Sequence, residues 1–314
     1  NTGIPLSQIR SRQVLRAADN FRFFADYIGQ SVGQLYEQNP DYLTLVRREP
    51  VGVAALISPW NSPLALGSMK IASSIAFGNS CVLKPSEQAP LGISLLASLL
   101  RNAGIPDGVV NLVNGRGATT GDRLIRHPDV NVVTFTGGTE TGRIIMRTAG
   151  DHLKPATVEL GGKSANIIFD DADFDQALDG ALLGIFTNNG QQCLAGSRIL
   201  VQRSIAKRFV EAFVARAEAI RVGDPRDPAT ELGPLVSRRH MQHVLSFVPG
   251  AGSSDRILTG GGRVAGLEKG CYVAPTLVET TNDSRIAQEE IFGPFGAFIV
   301  FGTDEGAYQI PNRS

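Results

Sequence analysis

Val130-Asn131-Val132-Val133-Thr134-Phe135-Thr136-Gly137-Gly138-Thr139-Glu140-Thr141-Gly142 is the stretch on which the fold turns. Residues 130–135 are mostly apolar or β-branched, the composition of a buried strand. Gly137-Gly138 makes a turn, Thr139 and Glu140 open a helix, and Gly142 lies inside its first turns. A strand, a glycine turn and a helix N-terminus in that order form an anion-binding arrangement suited to a pyrophosphate. The glycine triplet of the usual dinucleotide fingerprint is absent. The stretch alone therefore establishes one strand–turn–helix unit, and the flanking sequence must say how many there are.

Working outward, strands are predicted at 51–57, 80–83, 109–113 and 156–160, with helices at 64–77, 91–103, 119–126 and 139–149 between them. Near-continuous apolar strands alternating with helices imply a parallel sheet covered on both faces. The expected fold is α/β, with a doubly wound parallel-sheet dinucleotide-binding domain over 1–160. The pattern restarts after Gly162, with strands at 164–169, 199–202, 256–259, 272–278 and 297–301 and helices at 173–186, 205–222 and 238–247. This gives a second α/β domain over 161–314. A helix is also expected over 8–32 and a strand near 42–48. Asp170-Asp171-Ala172-Asp173 reads as an acidic helix start rather than a metal site. Gly260-Gly261-Gly262 reads as a turn.

Bulk properties narrow the function. The chain has 314 residues, 42% hydrophobic and 19% charged, with 30 basic and 30 acidic side chains. Zero net charge gives no basic face for nucleic acid. No apolar run approaches the ~20 residues of a membrane helix. Three cysteines are too few for a disulfide framework, so a reducing cytoplasm is the simplest compartment.

The chemistry centres on Cys193 in Asn188-Asn189-Gly190-Gln191-Gln192-Cys193. Its loop lies between a buried helix and a buried strand, where a thiol is either inert packing or a nucleophile. Glu159 ends a strand expected to be buried, before Gly161-Gly162. A desolvated carboxylate there is either a base that takes a proton from water or a cap. Asn61 follows Pro59-Trp60 at a strand end, and its amide together with the Cys193 backbone N–H can face a developing oxyanion. The bland reading of Asn61 is a turn residue. Lys84 and Glu87 sit at another strand end, where open α/β sheets bind ligands. Glu87 can bond both ribose hydroxyls, favouring NAD over NADP, or the two can be solvated charges beside a turn. His240 and His243 have metal-binding spacing on a helix, but no third ligand is evident and no metal is expected. Arg198 is a residue that can face substrate.

Taken together, Pro59-Trp60-Asn61, Lys84-Pro85-Ser86-Glu87, Phe135-Thr136-Gly137-Gly138, Glu159-Leu160-Gly161-Gly162-Lys163, Gly190-Gln191-Gln192-Cys193 and Glu289-Glu290-Ile291-Phe292-Gly293-Pro294-Phe295 closely resemble the NAD(P)-dependent aldehyde dehydrogenase superfamily. The resemblance covers nearly the whole chain. It implies oxidation of an aldehyde or semialdehyde to the acid with NAD through a cysteine thiohemiacetal and thioester. Cys193 would be the nucleophile, Glu159 the base and Asn61 the oxyanion donor. The cofactor would be bound by Pro59, Trp60, Lys84, Ser86, Glu87, Gly115, Gly121, Phe135, Thr136, Gly137, Gly138, Leu160, Glu290 and Phe292, with Glu290 on the nicotinamide ribose. Residues 1–5 and 20–25 resemble the branch of 5-carboxymethyl-2-hydroxymuconate and 2-hydroxymuconate semialdehyde dehydrogenases. The family carries serine at the position of Gly138. Its leading and trailing segments are absent before Asn1 and after Ser314, so the chain is expected to be truncated at both ends. The complete protein is expected to be a homodimer or homotetramer, with 42–48 as part of an oligomerisation strand. Two other readings are a truncated, non-catalytic family member and a cofactor-free hydrolase using the same cysteine.

Overall fold

The structure is a computed structural model that describes residues 2–250 and 253–313. It divides into two compact units, one of Arg10–Leu160 and one of Thr2–Ile9 with Gly161 onward.

In the first unit, β3 (Val53–Ser58), β4 (Ser80–Pro85), β5 (Val110–Leu112), β6 (Val132–Thr136) and β7 (Ala156–Glu159) form a wholly parallel sheet in the order β5-β4-β3-β6-β7. The central strand β3 shows why its sequence is continuously apolar. Ala54 and Leu56 face one side, where Ile71, Leu83 and Ile93 close the core. Ala55 and Ile57 face the other, against Val133, Phe135 and Ile145. Alternate side chains of a strand point to opposite faces, so a strand covered on both must be apolar throughout. The strand order reverses between β3 and β6, and the carboxyl ends beside such a reversal are where open α/β sheets hold ligands.

Before this sheet lie helix Leu15–Ile28 and the antiparallel hairpin of β1 (Gln34–Asn39) and β2 (Tyr42–Val46). The helix docks on helix Pro63–Ala76 through Asn20, whose amide donates to the Ala65 carbonyl at 2.8 Å and to Ser68 Oγ at 3.0 Å. It stops at Ile28 before Gly29, short of the expected residue 32. A short helix Leu6–Gln8 and a wider π-type turn Ile9–Val14 lead into it. The hairpin partner β1 was not foreseen, and the β2 side chains are all exposed.

In the second unit, β8 (Ala165–Ile168), β9 (Arg198–Gln202), β10 (Arg256–Thr259), β11 (Thr276–Glu279) and β12 (Phe295–Phe301) order as β10-β11-β12-β9-β8. Only the β10–β11 pair is antiparallel. Helices Phe174–Phe186 and Arg203–Glu218 cover one face through Ile185, Phe209 and Phe213 against Ile199, Val201 and Phe298. Phe209 and Phe213 are fully buried, each contributing roughly 2–3 kcal/mol through burial. Helix Arg238–Leu245 packs Met241 and Val244 on Val278, Phe295 and Ala297. Asp173 caps helix Phe174–Phe186, its Oδ1 accepting from Gln176 N at 3.1 Å, as the acidic start suggested. Thr2–Ile9 joins this unit, not the dinucleotide-binding domain as expected. Leu6 N donates to the Pro225 carbonyl at 2.8 Å and Gln8 Nε2 to the Glu231 carbonyl at 2.9 Å. No helix among the described residues is long and apolar enough to cross a membrane.

Candidate active site

The candidate residues of the first unit all lie at, or follow, the carboxyl ends of its parallel strands. Beyond β3, Pro59 and Trp60 are half-buried and Asn61 is buried. Pro63 then starts the next helix at a position where its missing N–H costs nothing. At the end of β4, Lys84 is only 2% exposed. Its Nζ donates to the Pro85 carbonyl at 2.7 Å and lies 3.6 Å from Glu87 Oε2. Burial pushes the Lys84 amine down, and Glu87 pulls it partly back. The solvated-pair alternative therefore fails for Lys84, although Glu87 itself is exposed. Gly121 packs on the Lys84 stem, since a Cβ there would lie 3.6 Å from Lys84 Cδ. A Cβ at Gly115 would overlap Thr120 Oγ1. Ser86 Oγ accepts from Gln88 N at 3.3 Å, closing the turn after β4.

At the end of β6, Phe135 and Thr136 are buried, and the two glycines that follow differ in role. A Cβ at Gly137 would lie 2.5 Å from the Phe135 ring, whereas around Gly138 nothing comes within 4 Å. Gly138 is the N-cap of helix Thr139–Asp151 and supplies no capping side chain. Bare backbone donors at a helix N-terminus, with open space before them, fit a pyrophosphate. Leu160 packs so closely on Gly142 that a Cβ there would lie 2.5 Å from it.

Glu159 departs from expectation. Its strand β7 is the sheet edge, with alternating burial, and the Glu159 side chain is exposed rather than desolvated. An edge strand has a neighbour on one side only, so a strand end there stays wet. Sequence reasoning missed Lys70, a buried lysine on helix Pro63–Ala76. Its Nζ donates to Thr134 Oγ1 at 2.8 Å. Burial pushes the amine down to about 8, while the Glu159 carboxylate pulls it up. A lone lysine within Met69-Lys70-Ile71-Ala72 was the available signal.

In the second unit the candidate residues precede the amino ends of β8, β9 and β12. The helix before Cys193 ends at Phe186, and a tight turn Thr187–Gly190 follows. Asn188, Asn189 and Gly190 all adopt left-handed backbone, with φ of 59°, 59° and 71°. Asparagine tolerates this conformation better than most residues, yet each such residue costs on the order of 1 kcal/mol. Hydrogen bonds offset that cost. Asn189 Nδ2 donates to the carbonyls of Gly3 and Pro234, both at 3.0 Å, and its Oδ1 accepts from Gly233 N at 2.8 Å. Asn188 Nδ2 donates to the Gln191 carbonyl at 2.9 Å, and Gln191 Oε1 accepts from Val236 N at 3.0 Å. A Cβ at Gly190 would overlap the Gly293 carbonyl oxygen at 2.1 Å. The loop is therefore pinned on both sides, and it leaves Cys193 half-buried.

Glu290 and Phe292 share a narrow cleft with this loop, lined also by Gly162, Gly190, Gln192 and Ala195. Gly161 must lack a side chain, because a Cβ would lie 1.8 Å from Glu290 Oε2. Burial raises Glu290, opposed by the Gly162 N–H and by Lys163. Lys163 is 8% exposed, and its Nζ meets no protein acceptor among the described residues. Burial, and then the Arg198 charge, push its amine down to about 7 against the pull of Glu290 and Glu289. Arg198, which the sequence allows to face substrate, is instead enclosed by protein acceptors. It is 2% exposed, with Nε on the Lys163 carbonyl at 2.8 Å, a terminal nitrogen on Asn282 Oδ1 at 3.0 Å and the other on the Pro311 carbonyl at 3.1 Å. Of the two histidines read for metal spacing, His240 bonds the Phe292 carbonyl.

Comparison with known proteins bears on what these groups do. The chain matches, over residues 1–314, the profile described as Aldehyde dehydrogenase family. It is 45% identical to 5-carboxymethyl-2-hydroxymuconate semialdehyde dehydrogenase of Escherichia coli, over 99% of this chain and 68% of that protein. It is 40% identical to human retinal dehydrogenase 2, over 100% of this chain and 61% of that protein. The solved NAD+ complex of aldehyde dehydrogenase from Bacillus cereus superimposes with a TM-score of 0.97 at 40% identity, covering 100% of this chain and 64% of that one. The chain thus spans about two thirds of the length of these relatives.

Proposed function

The chain belongs to the aldehyde dehydrogenase family, and from that premise we propose that it oxidises an aldehyde to the carboxylate with NAD, using Cys193 as nucleophile. The observation that carries the reading is the pinned left-handed loop 188–190. It spends backbone strain to hold a half-buried thiol at a fixed place, which inert packing does not need.

The Cys193 thiolate attacks the aldehyde carbon, forming a C–S bond while the carbonyl electron pair moves to oxygen. Asn61 and the Cys193 backbone N–H donate to that oxygen, each such donor contributing roughly 3 kcal/mol in the transition state. When bound, NAD supplies the hydride acceptor, taking two electrons with the hydrogen from that carbon. A thioester remains on Cys193. Glu159 takes a proton from water, which attacks the thioester and releases the acid and the thiolate. Its exposure gives water direct access, and Lys70 supplies a nearby positive charge.

Pro59, Trp60, Phe135, Thr136, Gly137, Gly138 and Leu160 would hold the pyrophosphate side of the cofactor. Lys84, Ser86, Glu87, Gly115 and Gly121 would hold the adenosine side, and Glu290 with Phe292 the nicotinamide side. The exposed Glu87 carboxylate repels a 2′-phosphate, which favours NAD over NADP. The likeness to the 5-carboxymethyl-2-hydroxymuconate semialdehyde dehydrogenase of Escherichia coli supports a semialdehyde of that kind as the substrate here. A thiol mechanism suits a reducing, cytoplasmic setting. The exposed β2 strand suits a role in homodimer or homotetramer assembly.

The test is aldehyde-dependent NADH formation. Cys193→Ala should abolish it and leave NAD binding intact. Glu159→Gln should keep the first-turnover burst of NADH and slow the steady state. Turnover that survives in Cys193→Ala refutes the nucleophile, and loss of the burst in Glu159→Gln refutes the assigned base. Failure of the wild-type chain to bind NAD would favour the hydrolase or non-catalytic readings.

A further inference from the structure

We propose that His240 is a positioning residue, whose ring N–H holds the backbone of Phe292 and so sets the segment carrying Glu290. The link from that segment to the cofactor rests on the functional reading above.

Phe292 has a φ of 59°. Asparagine and glycine occupy this region with ease, but a bulky aromatic residue is an outlier there. Such a conformation persists only where its surroundings over-determine it. Helix Arg238–Leu245 supplies part of those surroundings. His240 Nε2 lies 2.7 Å from the Phe292 carbonyl oxygen. A carbonyl can only accept, so Nε2 must carry the proton, which fixes the tautomer. The two rings meet edge to face at 6.1 Å. At the next residue, Gly293, a Cβ would lie 2.7 Å from Val244, so the same helix also meets the chain there.

His240 is itself held. Its backbone N–H donates to the Ser237 N-cap hydroxyl at 3.2 Å. Its ring stacks on His243 at 5.9 Å, and His243 meets the ring of buried Phe247 at 5.2 Å. Met241 and Val244 anchor the helix in the core with Phe295. Burial disfavours the charged imidazole, in keeping with a neutral ring that donates through Nε2. Two residues before Phe292 the chain carries Glu290, whose carboxylate lies directly over Gly161. A shift in the Phe292 backbone would therefore move the carboxylate assigned to the nicotinamide ribose.

The test compares His240→Gln, His240→Asn and His240→Leu by hydrogen exchange at the amides of Ile291, Phe292 and Gly293, without cofactor. Glutamine places an amide N–H near the position of Nε2; asparagine reaches only as far as Nδ1. Positioning predicts wild-type exchange in the glutamine variant. Exchange should be roughly tenfold faster in the asparagine and leucine variants, the effect of losing one hydrogen bond of about 1.4 kcal/mol. Equal behaviour of the glutamine and asparagine variants, whether both slow or both fast, overturns the proposal. NAD titration of the same proteins should show weaker binding in the asparagine and leucine variants only. If exchange follows the predicted order and NAD affinity does not change, His240 still positions Phe292, and the assignment of Glu290 to the cofactor fails.

Discussion

Replacing Lys163 with methionine should stabilise the protein, and the gain should shrink as pH rises. The native amine sits at about 7, against 10.5 for an unperturbed lysine. That gap of 3.5 units corresponds to roughly 5 kcal/mol of penalty against the charged amine in the fold. The unfolded chain binds more protons than the native one throughout this interval. Stability therefore rises with pH from about 7 to 10.5, and the penalty is fully present below pH 7. At pH 7.5 the native protein carries roughly 4 kcal/mol of it, and at pH 9.5 roughly 1.5 kcal/mol. Methionine fills a similar volume without a charge, so it should recover most of that difference. Urea unfolding followed by circular dichroism at both pH values measures it. A variant no more stable than wild type at pH 7.5, or a gain that grows with pH, would refute the reasoning.

Gly138→Ser should tighten NAD binding roughly tenfold in a calorimetric titration. A hydroxyl bonded to charged phosphate is worth about 1.5 kcal/mol, and nothing obstructs a side chain there. Lys70→Met should remove an ionisation near pH 8 from the pH profile of the slow, hydrolytic phase, because the amine facing Glu159 is lost. Gly190→Ala should destabilise by roughly 2 kcal/mol or more through strained φ and overlap with a backbone carbonyl. Its remaining folded fraction should react slowly with thiol reagents directed at Cys193.

The parallel sheet of the first unit was legible because strand, turn and helix each carry a local signal. Apolar runs at 51–57 and 130–135 and the Gly137-Gly138 turn need no partner to be recognised. What escaped depends on long-range pairing. Glu159 was expected to be buried because Ala156–Glu159 follows the same alternation as the other strands. Only the strand order reveals β7 as an edge. In one dimension Arg198 can face substrate, yet its acceptors come from residues 163, 282 and 311. The His240 and His243 spacing was read only for metal, which was not expected, and gave no hint that the partner of His240 lies 52 positions away. The left-handed Asn188 and Asn189 were partly readable, since that amide doublet before glycine suits a turn. The hydrogen bonds that hold it were not.

Asn189-Gly190 is also a dipeptide whose side chain is easily lost. In a flexible chain the glycine nitrogen attacks the asparagine amide, closes a succinimide ring, expels ammonia and leaves aspartate or isoaspartate. In the folded protein both ends of that amide are engaged, with Gly3, Pro234 and Gly233, and Gly190 is wedged against Gly293. Ageing of the loop before Cys193 is thus governed by how seldom the fold opens. The chemical shelf life of the thiol's setting is a property of conformational stability.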